Sequence, residues 1–342
     1  MNTLFYEEVK GQAAALSSSL RQMGEDGCAA IRTAARMIRD CRALVLSGMG
    51  TSMNVTSCVL EALSDVTRVN AIQSYQLLQT NLAGIRPGDL VFLISQSGES
   101  GEIVELCRRL KGRCPLLAMT NDTESFLAKS ADCVLPLFSP KENSITNSTF
   151  TASLAVLKLL AAAVRGEDLE ALSARLQGSC AEAERILREE GRVFALADSI
   201  AKYDRIHFIG RSGDEMALAD QASLIFKEGA FCNAQSFNAG AFRHGPIEVC
   251  GGEHLAVLFV TDETSRETME KLGGILSRNG SRVLYLTSRP LTGEQFQIAA
   301  DSPEEFMLPA AVLLEMLVAR IAEDKGREAG VFHIGGKICR EM

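Results

Sequence analysis

One arrangement of segments is written twice in this chain, at an offset that grows only from about 162 to 172 residues. The apolar run and turn ALVLSGMG (43–50) recurs as RIHFIGRSG (205–213), and DLVFLISQSGES (89–100) recurs as EHLAVLFVTDET (253–264). Residues 115–119 recur at 283–287, and 134–136 recur as a further strand at 306–309. A period this long signals duplicated domains and not a solenoid. Within each copy, short runs of β-formers alternate with helix-period stretches, so the fold class expected is α/β, each copy a parallel sheet flanked by helices. At 342 residues the chain has the length for two such domains, each burying its own core.

The copies set the boundaries. Residues 1–40 read as a helical lead-in, with Ile31, Ala34, Ala35 and Ile38 at helical spacing. Residues 41–165 form the first domain, 166–200 a charged helical connector, 201–325 the second domain and 326–342 a C-terminal tail.

In the first copy Leu90, Val91, Phe92, Leu93 and Ile94 end abruptly in Ser95, Gln96, Ser97, Gly98 and Ser100, after which a helical pattern begins. A buried parallel strand delivers such a turn to the carboxyl edge of its sheet, where hydroxyls and the N–H groups of the next helix face an anion. Phosphate is the guest this chemistry suits, and Gly98 lets backbone approach it without a Cβ. The plainer alternative is a helix cap, because Ser followed by Glu is common at helix starts. Upstream, Gly50, Thr51 and Ser52 offer the same chemistry after the strand 42–46. That glycine turn could pass for a dinucleotide fingerprint, but Met53 holds the third glycine position and no acidic residue follows at the required distance. No nicotinamide or other cofactor is therefore expected. In the second copy Thr261, Asp262 and Glu263 replace the SQSG hydroxyls, so that edge should repel phosphate.

The net charge of −8 argues against broad binding to nucleic acid or an anionic membrane. No uninterrupted apolar run of spanning length occurs, and MNTLFYEEVK is not a secretory signal, so a cytoplasmic location is expected. Ten scattered cysteines without C-x-x-C read as reduced thiols. None of the four histidines pairs with another His or Cys at metal-ligand spacing, so no metal site is expected.

The second copy brings a different asset at 221–246. A helix carrying Leu224, Ile225 and Phe226 ends at Glu228, and a Gly/Asn-rich loop then presents Arg243, His244, Gly245 and Pro246. A carboxylate and an imidazole on irregular backbone are candidate general acid and base. Glu228 as a mere helix-end charge and His244 as a loop residue bonding backbone remain the competing readings.

With SGMGTS, SQSGES, KE followed by FRHGP, and the C-terminal GGKICRE, the chain resembles the sugar isomerase (SIS) domain family from about residue 28 onward. The likeness is to the two-SIS-domain isomerase half of glucosamine-6-phosphate synthase and to the fructosamine-6-phosphate deglycases and amino-sugar phosphate deaminases. It implies two tandem flavodoxin-like SIS domains, with a sugar 6-phosphate held by Gly50, Thr51, Ser52, Ser95, Gln96, Ser97 and Ser100. It further implies that Glu228 shuttles a proton between C1 and C2, that His244 assists ring opening from a neighbouring subunit of a homodimer, and that Lys337 enters the active site on the tail. Three departures stand out. Ile225 and Gln221 replace a lysine and a glutamate of the synthase helix, and Asn147, Ser148, Thr149 and Phe150 lack the usual lysine. The N-terminus lacks a Cys after the initiator and leaves no room for a glutaminase domain, so ammonia generation is not expected. A 1,2 proton transfer is the reaction implied; a non-catalytic sugar-phosphate sensor is the alternative.

Overall fold

The structure is a computed structural model, and it describes residues 3–211, 213–334 and 336–337. The chain divides into two compact units, one of residues 15–141, 148–176 and 332–342, the other of residues 1–14, 142–147 and 177–331. The helical lead-in is Leu4–Gln22, a π-helical turn Met23–Gly27 and Cys28–Asp40, so its first turns and its remainder fall in different units.

The first of these units holds β1 (Ala43–Gly48), β2 (Val69–Gln73), β3 (Asp89–Ile94), β4 (Leu116–Thr120) and β5 (Cys133–Pro136), all parallel, in the order β2-β1-β3-β4-β5. The other holds β6 (Arg205–Gly210), β7 (Asn233–Asn238), β8 (His254–Val260), β9 (Arg282–Thr287) and β10 (Gln295–Gln297), in the order β7-β6-β8-β9-β10. Counted within each unit, both orders are 2-1-3-4-5, the flavodoxin-like arrangement. The α/β duplication expected from sequence is thus present strand for strand.

Each central strand forms because it is covered on both faces. All six residues of β3 are buried, as a parallel strand between helical layers requires. The helix Gly101–Leu110 that follows buries Ile103, Leu106, Cys107 and Leu110, the i, i+3, i+4, i+7 stripe, against Val91, Leu93 and Leu116. Each Leu or Ile so buried stabilises the unit by about 1.5–3 kcal/mol.

Two expectations require correction. Residues 306–309 are not a strand. They lie in the helix Pro303–Asp324, started by the Ser302 side chain accepting from Glu305 N, Pro303 in the first turn, and the acidic pair Glu304 and Glu305. The partner of β5 in the duplication is instead β10. The segment after Gly229 is not loop throughout either, because it contains β7, a polar edge strand paired with β6. The helix Ser148–Arg165 has the length and composition to cross a membrane, though its polar residues interrupt the apolar run. Yet 83% of it is buried inside the protein, and it packs beside Cys28–Asp40 and Ser57–Ser64 as a core helix.

Candidate active site

In an open sheet of this order, ligands bind outside the carboxyl ends of the strands where the chain reverses direction across the sheet, between β1 and β3 in the first unit and between β6 and β8 in the second. Both phosphate turns read from sequence leave the sheet at the first of these points.

After β1, the chain folds back so tightly that a Cβ on Gly48 would lie 2.7 Å from the Ser52 backbone. Gly50 adopts φ 51°, ψ −128°, a conformation that other residues rarely take. Ser52 N donates to Met49 O at 3.0 Å, and Thr51 and Ser52 sit half-buried. After β3, Ser95 N donates to Met119 O, which ties the turn to β4. Gly98 N donates to Ser95 Oγ at 3.1 Å and Glu99 N to Ser97 Oγ at 3.3 Å, so these hydroxyls shape the turn from within. Gln96 O accepts from Asn121 N and Thr120 Oγ1, fixing the turn a second time. Gly98 has φ +63°, and a Cβ there would fall 2.6 Å from Ser125 Cβ. Ser100, the residue before Gly101–Leu110, makes no capping bond through its side chain. The helix-cap alternative therefore does not describe Ser100, whose hydroxyl is left half-buried at the helix start.

In the second unit a Cβ on Gly210 would meet Glu215 as one on Gly48 would meet Ser52, with the backbone 2.7 Å away. Glu215 thus stands where Ser52 stands, and its buried carboxylate accepts from Arg211 N at 2.7 Å, Thr261 N at 3.2 Å and Thr261 Oγ1 at 2.9 Å. Burial raises its pKa, against the lowering by those hydrogen bonds. The protein's own carboxylate occupies the second cradle. Sequence reasoning expected Asp262 and Glu263 to repel phosphate, but Asp262 is spent capping its helix through Ser265 N at 2.7 Å. The missed signal was an acidic residue five places beyond the β6 glycine.

Glu228 ends the helix Gly213–Glu228 and is half-buried. Gly229 N closes the helix on Ile225 O at 2.7 Å, and a Cβ on Gly229 would come 2.8 Å from Ile145 Cδ1. The Glu228 backbone is thereby pressed onto the 142–147 loop and the helix Pro303–Asp324, whose Val318 lines the same gap. Ile225 and Gln221, at the departures from the resembled helix, are buried. Around that loop gather acidic groups the sequence reading passed over, Glu8 and Glu315 from helices and Glu142 from the loop itself. Glu8 accepts from Asn143 N, Asn147 Nδ2 and Ser144 Oγ, and Glu142 accepts from Asn147 N at 3.1 Å. Fully buried Glu315 accepts from Gln12 Nε2 at 3.3 Å, and burial first, then Glu142, raises its pKa well above the ordinary carboxyl range.

His244 is exposed in a single chain, on the turn after Ala239–Phe242, which Asn238 caps through Ala241 N at 2.7 Å. Lys337 is half-buried and belongs to the unit of the first sheet; with Gly336 it is the described part of GGKICRE, while Gly335 and residues 338–342 lie outside the described residues. At the amino edge of the second sheet His207, Cys250 and His254 converge, although the sequence reading paired none of them. The C-x-x-x-H spacing of Cys250 and His254 was the available signal.

The family model for the SIS domain matches residues 37–163 and 199–306. A glutamine–fructose-6-phosphate aminotransferase (isomerizing) of Sulfurisphaera tokodaii is 24% identical over 84% of this chain and 48% of its own length. That of Caulobacter vibrioides is 30% identical over 59% of this chain and 35% of its own. The chain spans about half or less of the curated relatives it matches. Among solved structures, the C-terminal domain of glucosamine-fructose-6-phosphate aminotransferase from Francisella tularensis has a TM-score of 0.83 at 18% identity, covering 96% of this chain and 98% of that one. A glucosamine-6-phosphate deaminase from Thermotoga maritima has 0.78 at 19%, covering 99% and 100%, and a tagatose-6-phosphate ketose/aldose isomerase from Escherichia coli has 0.79 at 19%, covering 97% of each. These structural likenesses establish a shared fold, and the double match to the family model establishes more: the chain belongs to the SIS domain family.

Proposed function

We propose that the chain is an isomerase-type enzyme acting on an amino sugar or fructosamine 6-phosphate by proton transfer between C1 and C2. The observation that carries this reading is the contrast between the two switch points. One presents the hydroxyl-bearing residues Thr51, Ser52 and Ser100, and its copy is filled by the Glu215 carboxylate. The names of the relatives and structural neighbours, all handling 6-phosphosugars, support the substrate class.

In this reading the turns at 50–52 and 95–100 hold the phosphate through neutral hydroxyls and backbone N–H groups. His244 moves protons between the ring oxygen and the carbonyl oxygen, and it comes from the other subunit of a homodimer. Glu228 removes the proton α to the carbonyl or imine, giving an enediol or enolamine, and returns it to the neighbouring carbon. Lys337 neutralises oxyanion charge. Return with the amine attached is isomerisation; return that leaves an imine lets water add and the amine depart, which is deglycation or deamination. The setting is the cytoplasm, with neither nucleic acid nor membrane as partner.

The deciding experiment incubates purified protein with the 6-phosphates of fructose, glucosamine, fructose-lysine and fructose-asparagine in deuterated water and follows deuterium at C1 and C2 by NMR. Deuterium wash-in with free amine is expected for a deglycase or deaminase, and wash-in alone for an isomerase. The loss of two lysines, one at Ile225 and one in the run Asn147–Phe150, favours a second reading, a sugar-phosphate sensor. Binding of every sugar without exchange would refute the enzyme and leave the sensor.

A further inference from the structure

We propose that His207, Cys250 and His254 form a site for one divalent transition-metal ion of the zinc class. His207 is the third residue of β6, His254 the first of β8, and Cys250 lies on the approach to β8, so two adjacent hydrogen-bonded strands carry two of the three side chains. His207 Nδ1 lies 3.0 Å from His254 Nε2, and Cys250 Sγ lies 4.0 Å from that same nitrogen. All three donor atoms fall within 4.8 Å of one another. Around a tetrahedral ion with metal–nitrogen bonds of about 2.0–2.1 Å and a metal–sulfur bond of about 2.3 Å, such atoms sit about 3.3–3.6 Å apart. Shifts of well under 2 Å bring the set to that geometry.

The surroundings are those of a ligand set. His254 Nδ1 is 2.9 Å from Ser281 Oγ, an outer partner that leaves Nε2 aimed at the other two donors. The ring of His207 is wedged edge-on between Phe237 and Phe242, which fixes its plane. His207 and His254 are buried and Cys250 is half-buried, so an ion can enter from the side of the thiol. Burial lowers both imidazoles to about 4, with His207 and Arg205 adding to the effect on His254 and Arg205 on His207. Burial pushes the Cys250 thiol up, Ser281 and Arg205 pull against that and Glu248 adds to it, so an ion that binds here must displace the thiol proton. One thiolate and two imidazoles leave a fourth position for water.

An ion here would anchor Cys250, six residues beyond His244, and so pin the short helix Pro246–Val249 that connects them. This inference stands apart from the sugar-phosphate reading, because its test needs no substrate. The full chain, stripped with chelator, is titrated with Co²⁺ while the thiolate-to-cobalt charge-transfer band and the visible ligand-field bands are recorded. One Co²⁺ per chain with both features, displaced by Zn²⁺, is expected. Cys250→Ser should lose the charge-transfer band and bind at least 10-fold more weakly, and Ser281→Ala should weaken binding about 10–100-fold through the orientation of His254. Absence of stoichiometric binding, or a charge-transfer band unchanged in Cys250→Ser, would overturn the proposal. Because Cys250 is half-buried, that variant should keep the parent's far-ultraviolet circular dichroism even where a change at either histidine disturbs the fold.

Discussion

If Glu215 is an internal stand-in for a phosphate, replacing it with the serine found at the equivalent position of the first unit should open a second anion site. Glu215→Ser removes a carboxylate that accepts three hydrogen bonds, from Arg211 N, Thr261 N and Thr261 Oγ1. Hydrogen bonds to a charged group contribute about 1.5–3 kcal/mol each, so about 5 kcal/mol of favourable contact is lost. Against this, the variant no longer buries a carboxylate, and desolvation is the largest influence on that group. Water entering the gap would meet the same donors. A net destabilisation of about 1–3 kcal/mol follows. Phosphate should then reverse it: at 100 times the dissociation constant, a bound anion adds about 2.7 kcal/mol. For a unit of this size each kcal/mol moves the melting temperature about 2–4 °C, so phosphate should raise the melting temperature of the variant by about 5–10 °C more than that of the parent. Thermal unfolding across a phosphate series measures this, and any contribution from the first unit is common to both proteins and cancels. Adding Thr261→Val, which deletes one donor, should shrink the extra increment. Equal phosphate increments in parent and variant would refute the idea that Glu215 fills an anion cradle.

Glu228→Gln should lower turnover by about 10²–10⁴ while leaving phosphate-dependent stabilisation intact, and retained turnover in the deuterium-exchange assay would remove Glu228 from its role. Ser97→Ala should chiefly raise KM, since phosphate contacts act far from the reacting carbons; a fall in kcat at constant KM would contradict that. Gly98→Ala should destabilise the first unit by about 1–3 kcal/mol, because φ is +63° and the new methyl meets Ser125. Adding Ser125→Gly should recover only the steric part, so complete recovery in denaturant unfolding would show that φ is not strained. Glu315 binds its proton more tightly folded than unfolded, so its contribution to stability is fully present below the unfolded carboxyl pKa and is lost as pH rises towards the raised folded value. Glu315→Gln should therefore flatten the decline of stability with pH above about 4.3, and an unchanged slope would locate the decline elsewhere.

The strands that carry the fold were legible because they are buried on both faces and read as continuous apolar runs: β1, β3, β4, β6, β8 and β9 all announce themselves so. The edge strands β2 and β7 did not. β2 is VNAIQ and β7 is NAQSFN, with the exposed positions and mixed polarity of strands covered on one side only, and neither shows period-two alternation. Residues 306–309 misled because apolar content alone does not separate a buried strand from a buried helix; Ser302 and Pro303 carried the distinguishing signal. At the site, the glycine turns were readable since their chemistry is local. Glu215 and the His207, Cys250, His254 cluster were not, because each depends on register between strands far apart in sequence, and Glu8, Glu142 and Glu315 were not, because they meet only where helices and a loop distant in the chain pack together.

That register also accounts for how the two copies came to differ. Asp89 pairs with Ala43 across β3 and β1, and His254 pairs with Arg205 across β8 and β6, so Asp89 and His254 occupy one position of the shared plan. In the first unit the buried Asp89 carboxylate finds its partners within its own edge, Oδ2 accepting from the Arg42 guanidinium and Arg86 N at 2.8 Å each and Oδ1 lying in ion-pair contact with Arg42. In the second, His254 takes that place and turns to His207 and Ser281. The carboxyl edges are reversed in character: the first presents hydroxyls and a helix start uncapped by any side chain, the second supplies its own carboxylate in Glu215. A buried polar group left without a partner costs about 1–3 kcal/mol, so a copy that gives up an outside ligand at one edge has to supply an internal one there. Glu215 is that internal partner at the second sheet, where its carboxylate takes the Arg211 and Thr261 donors, whereas the turns of the first sheet carry serine and threonine hydroxyls at the same edge.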